Sequence, residues 1–179
     1  NVTVMSVIIA FWGALQRYAN SCGVVTPLPF TSLRYSDPLN QGKFMKNKSV
    51  LELADVKLIL AAAEAEAVKN GWGVAIAVVD DGGNMLGFSR LDNVAPVSAH
   101  IAASKAHTSA MGCRESGVYE KVINDGRVSF LSAPAINGML EGGVPVMKDG
   151  QCIGAVGVSG VKSNEDAQIA KAGIAALGL

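Results

Sequence analysis

The stretch from Leu140 to Gly160, LEGGVPVMKDGQCIGAVGVSG, constrains the fold of this chain more than any other. Two apolar runs, Val144–Met147 and Cys152–Val158, flank Lys148-Asp149-Gly150-Gln151. Asp-Gly between apolar runs predicts a tight hairpin, because the turn needs positive φ at its centre. Glycine is dense here, at Gly142, Gly143, Gly150, Gly154, Gly157 and Gly160. A glycine inside a strand weakens it, so such a run marks bends, bulges or a close approach of backbone. Two readings follow. One is a crowded strand with a helix lying on it, the last helix being the natural occupant. The other is a rim whose backbone N–H groups face a ligand.

The remaining elements group around this hairpin. Leu51–Asn70 predicts a helix, with Leu53, Val56, Leu60, Ala63 and Ala67 at helical spacing. Ser49 with Glu52 is the expected capping box, and Asn70-Gly71 the stop. Gly73–Asp80 reads as a buried strand, Asp81–Asn84 as a turn and Met85–Leu91 as the partner strand. Pro96 opens a second long helix that runs to about Cys113. Glu115–Asn124 predicts a third helix. Phe130–Met139 is expected as a short strand broken by Pro134. Asn164 is the expected cap of a last helix, Glu165–Leu177. Hairpins interspersed with helices predict an α+β fold, an antiparallel sheet with helices packed against it.

Composition removes several classes of function. Lys and Arg number 15 and so do Asp and Glu, so the net charge of zero gives nucleic acid no electrostatic footprint. The three cysteines, Cys22, Cys113 and Cys152, form no CxxC pair and are expected as reduced thiols, with Cys113 buried and inert and Cys152 in the core. His100 and His107 are the only histidines, which excludes a metal site built from several imidazoles. Residues 1–44 differ from the rest. Val2–Leu15 is apolar, too short to span a bilayer comfortably, and unpreceded by Lys or Arg. The segment is expected to be upstream or extension sequence, with a leader as the alternative, and residues 45–179 to be the domain. That reading places the protein in the cytoplasm, or outside it if residues 1–44 act as a leader, with no stable membrane span. No Ser-His-Asp order, P-loop or dinucleotide-binding glycine motif is legible, so the residues name no reaction.

Four stretches, VAIAVVDDGGNMLGFSRLD, IAASKAHTSA, LEGGVPVMKDGQCIGAVGVSG and DAQIAKAG, together resemble the GlcG/HbpS-like family, the haem-degrading domain family that includes the C-terminal domain of PduO-type proteins. The resemblance covers the chain from about Met45 onward. It implies a profilin-like layer fold, commonly a homo-oligomer, and a small-molecule ligand, with haem or another tetrapyrrole the family-suggested one. An enzyme or accessory protein acting on a small hydroxy acid such as glycolate is the alternative, and a structural assembly protein a third. The chain departs from the family at Asn84, where many relatives carry His, and its first helix has no histidine.

The candidate ligand-binding residues are Arg90, Asp92, Lys105, Thr108, Glu141, Gly142 and Gly143. Arg90 with Asp92, and Lys105 with Thr108, match family positions. Arg90 and Asp92, two apart on a strand, are also readable as a structural ion pair. Lys105 suits either an anionic ligand or a Lys–Asp bridge. Asp166, at the start of the last helix, reads as a cap. His100 and His107, seven apart on one helix face, are the candidate haem ligands, with solvent-facing histidines the alternative. If a pocket exists, Glu141–Gly143 is expected to form one wall and the Lys105 helix to face it.

Overall fold

The computed structural model describes residues 47–179. The leader and extension readings of residues 1–44, and the start at Met45, lie outside the described residues. The elements run α1 (Leu53–Lys69), β1 (Ala75–Asp80), β2 (Met85–Arg90), α2 (Val97–Gly112), α3 (Gly117–Asn124), a 3-10 turn (Val128–Ser132), β3 (Gly143–Lys148), β4 (Gln151–Ser159) and α4 (Ser163–Ala175). The four strands form one antiparallel sheet in the order β2-β1-β4-β3. This is the expected α+β layer architecture.

Strand alternation divides the interior into two unlike halves. Ile76, Val78, Val156 and Val158 point to one face, where they pack with Val56, Ile59 and Ala63 of α1 and Ile169 of α4. Ala75, Ala77, Val79 and Ala155 point to the other, against Ala102, Ala106 and Ala110 of α2. These three alanines recur every four residues, so α2 meets the sheet along a seam of methyl groups. Its backbone comes closer still over two glycines. A Cβ on Gly157 would stand 2.2 Å from the Ala102 carbonyl oxygen, and one on Gly143 would stand 2.3 Å from that of Lys105. Gly143 and Gly157 are register partners across β3 and β4. The glycine-rich hairpin is therefore the seat of a helix. The helix is α2, not the last one.

Both hairpin turns form as expected. Asp149 and Gly150 hold φ of 49° and 73°, the pair of left-handed residues a type I′ turn requires. In the first hairpin the Asp80 carboxylate accepts the N–H groups of Gly82 at 2.9 Å and Asn84 at 2.8 Å, and the Asn84 amide at 3.0 Å. Bulges fall at the turn end of each pairing. Val78 pairs with Gly87 but Val79 with Met85, and Val146 pairs with Gly154 but Met147 with Cys152.

Several local expectations are corrected. The capping carboxylate of α1 is Asp55, which accepts the Glu52 N–H at 2.9 Å, so the cap lies three residues beyond Ser49. In α4 Glu165 accepts the Lys162 N–H at 3.1 Å, and Asn164 lies inside the first turn. Residues 130–139 hold no strand. Residues 130–132 lie in the 3-10 turn and 133–139 are irregular, since Pro134 has no N–H to give a ladder. Leu53, placed on the core stripe by spacing, is 65% exposed. Among the described residues no helix is long and apolar enough to cross a membrane.

Two predictions follow from this packing. Gly157→Ala forces a methyl into the α2 backbone and is expected to lower stability by about 2 kcal/mol or more, read from the urea midpoint. The second concerns Asp80. The Asn84 amide, joined by the backbone N–H groups and opposed by burial, holds the Asp80 carboxyl below its ordinary value. The unfolded chain therefore binds the proton first as pH falls, so this contribution is present at neutral pH and lost on acidification. Urea midpoints of parent and Asp80→Asn are expected to differ at pH 7 and to converge below about pH 4.

Candidate functional site

Lys105 enters from the buried side of α2 with 3% exposure. Its ammonium donates to the Val158 carbonyl oxygen at 3.0 Å and to Asp166 Oδ2 at 2.8 Å. Asp166, on the first turn of α4, is equally enclosed, and its other oxygen accepts the Val161 N–H at 3.2 Å. Burial pushes the Asp166 carboxyl up, against the opposing pull of Lys105. The pair joins α2 to α4 across the end of β4. Asp166 is thus more than a cap.

The glycines beside it admit this pair. Gly142 holds φ of 121°, and a Cβ there would stand 2.7 Å from Lys105 Nζ and 2.8 Å from the Asp166 Cβ. The expected pocket between Lys105 and Glu141–Gly143 is therefore closed: the two walls are in contact. Thr108 is fully buried next to them, its Oγ1 accepting the Gly138 N–H at 3.0 Å. Ser116 completes the enclosure. It donates to Leu140 O, and its Oγ accepts the Gly143 N–H at 2.8 Å. Nothing in the local sequence around Ser116 signals this role, because its partners lie more than 20 residues away.

The other candidates are dispersed. Arg90 ends β2 and donates to the Val94 carbonyl oxygen at 2.8 Å. Asp92 lies beyond the strand, in the turn that follows, so the two do not share a strand face and form no ion pair. Glu141 borders a surface groove with Glu115, Glu120 and Lys121, and its N–H donates to Glu120 at 2.6 Å.

His100 and His107 share the outward face of α2 but not an environment. His100 is exposed, whereas His107 is half-buried. His107 lies between two loops, with Nδ1 3.2 Å from the Gly83 carbonyl oxygen and Nε2 2.9 Å from that of Ala135. Gly83 is required here, since a Cβ would stand 2.3 Å from Nδ1. Ala135 holds φ of 65°, a strained value for a residue with a side chain. Beside the imidazole opens a groove of about 560 Å³, lined by Val79, Met85, Ala103, Leu131 and Ile136 among others. It exists because α2 covers β1 and β4 while leaving the edge strand β2 bare. Phe88, paired with Ala77 and hence on the α2 side of the sheet, stays 42% exposed. Among the described residues no group of three or more His, Cys, Asp or Glu is placed to hold a metal.

The buried pair yields a double-mutant test. Lys105→Met and Asp166→Leu each strand one charged partner and are expected to cost about 3–5 kcal/mol. The double variant is expected to recover most of that loss, with all midpoints measured by chemical denaturation.

Comparison with known proteins places this architecture. The model of the family described as "Haem degrading protein HbpS-like" matches residues 51–175. Protein GlcG of Escherichia coli is 52% identical over 115 residues, 64% of this chain and 85% of that protein. The crystal structure of HbpS superposes with a TM-score of 0.69 at 31% identity, covering 78% of this chain and 98% of that one. The crystal structure described as a PduOC:heme complex superposes with a TM-score of 0.65 at 25% identity, covering 72% of this chain and 95% of that one. The expected resemblance holds across the glycine-seated helix and both hairpins, and the chain belongs to the HbpS-like family.

Proposed function

We propose that this protein binds haem or a closely related iron tetrapyrrole in the groove beside α2, with His107 as the iron ligand. The observation that carries the reading is the pairing of an oriented imidazole with apolar walls. Met85, Leu131 and Ile136 line the groove, and His107 stands at its edge. A macrocycle of this kind needs apolar surface for its faces and one neutral nitrogen for its iron. Family membership and the haem complex of PduOC support the choice of ligand.

The donor set fits that group. The Gly83 carbonyl oxygen lies 3.2 Å from Nδ1, placed to accept an Nδ1–H in the tautomer that leaves Nε2 unprotonated, the usual second contact of a ligating histidine. Nε2 is the nitrogen left for a metal. It meets the Ala135 carbonyl oxygen at 2.9 Å, and a neutral imidazole donates from only one nitrogen, so it cannot satisfy both carbonyls. Ala135 carries the backbone strain of the segment, and Nε2 exchanges this carbonyl for a ligand without breaking a helix or strand. His100 offers an exposed imidazole on the same helix but lines no part of the groove.

Titration of the pure protein with hemin is expected to give a red-shifted, saturable Soret band. His107→Ala is expected to abolish or strongly weaken it, and His100→Ala to leave it in place. No Soret change, or a change indifferent to His107→Ala in a folded variant, sinks this reading.

A further inference from the structure

The C-terminal end of α2 brings together two thiols that α3, the 3-10 turn and β3 separate in the chain. Cys113 caps α2 with φ of 50°, the left-handed conformation that glycine usually supplies at such a stop. A residue with a side chain is strained there. Its Sγ lies 3.5 Å from the Ala110 carbonyl oxygen, and the residue is exposed, not buried as its sequence setting suggests. Cys152 reaches the same point from the sheet. The bulge in β4 leaves Ile153 without a partner, so Ile153 joins the core under α1 and α4 while Cys152 turns toward α2. Its Sγ lies 3.8 Å from the same Ala110 oxygen.

Both sulfurs therefore stand within 4 Å of one carbonyl oxygen, that of Ala110. Burial first, and then Cys113, push the Cys152 thiol up, so it stays protonated. One thiol is thus exposed, and the second is buried against the same helix-end carbonyl. A strained cap and a bulge, two independent departures from regular backbone, converge on this carbonyl.

We propose that Cys113 and Cys152 form a reversible redox pair that reacts with hydrogen peroxide, Cys113 as the attacking thiol and Cys152 as the resolving one. The Cys113 thiolate attacks one peroxide oxygen, so an S–O bond forms, the O–O bond breaks and the departing oxygen leaves as water after taking a proton. The Cys152 sulfur then attacks the Cys113 sulfur. An S–S bond forms, the S–O bond breaks, and the hydroxyl leaves as a second water with the Cys152 proton. Two thiols are oxidised to one disulfide and one peroxide is reduced to two waters. A dithiol reductant reverses the change. The bond fastens the end of α2 to β4 and closes the intervening segment 114–151 into a loop.

The test is non-reducing peptide mapping by mass spectrometry of the folded full chain after equimolar hydrogen peroxide. The expected product is a Cys113–Cys152 linked peptide, lighter by two hydrogens, with two of the three cysteines lost to alkylation and both restored by dithiothreitol. Cys152→Ser is expected to stall Cys113 as a sulfenic acid trapped by dimedone. Cys113→Gly suits the left-handed cap, keeps the fold by circular dichroism and is expected to leave Cys152 unoxidised. The proposal is overturned if Cys113 proceeds to sulfinic or sulfonic acid with no linked peptide. It is equally overturned if either thiol pairs instead with Cys22, or if both remain reduced.

Discussion

A helix backbone resting directly on two facing glycines is the contact on which the rest of this molecule depends. Side chains normally stand between packed layers and keep their backbones apart, by about 10 Å for two stacked sheets. Over Gly143 and Gly157 there are none, and α2 descends until its carbonyls occupy the space of the missing Cβ atoms. Ala102, Ala106 and Ala110 continue the seam along the sheet. The depth of this seat brings the Lys105 ammonium to Val158 and Asp166, so that α2 is fastened to α4 as well as to the strands. Burial of such a pair costs solvation. Here every donor and acceptor on buried side chains among the described residues has a partner, which is the condition under which a buried pair is tolerable.

The same geometry divides the two histidines. Sequence spacing puts His100 and His107 on one face of α2 and treats them alike. The sheet beneath does not, because α2 leaves β2 uncovered and the Gly83 turn rises beside His107 alone. The groove is a by-product of where the helix sits. A larger residue in the alanine seam would lift α2, and the wall formed by Val79 and Met85 would no longer adjoin the imidazole.

Much of the fold was legible because it rests on local rules. Asp149-Gly150 demanded its turn, Asn70-Gly71 its helix stop, and an unbroken apolar run marked β1 as buried. The glycine density around Gly157 rightly signalled close approach. What it could not carry was the identity of the approaching helix, since a glycine records only that something is near. The partner of Lys105 lies 61 residues away, and a Lys–Asp bridge was one reading among two. Ser116, with an ordinary helix-start sequence around it, gave no signal. The convergence of Cys113 and Cys152 on the Ala110 carbonyl depends on a bulge and a left-handed cap, neither of which leaves a mark that glycine or proline would leave. The expected pocket at Gly143 failed for the complementary reason. Exposed amides and packed amides call for the same residue.

That Gly143 and Gly157 face each other across β3 and β4 has a consequence for how the chain assembles. Each strand carries valine next to its glycine, Val144 in one and Val156 and Val158 in the other. A slip of one residue in either strand would turn a valine toward α2 and a glycine toward the opposite core. The helix could not then dock, and its lysine would have no carboxylate to meet. Docking of α2 therefore proofreads the pairing of the hairpin. A misaligned sheet is thus excluded by shape as well as by pairing, and the glycines serve as the index marks that are read.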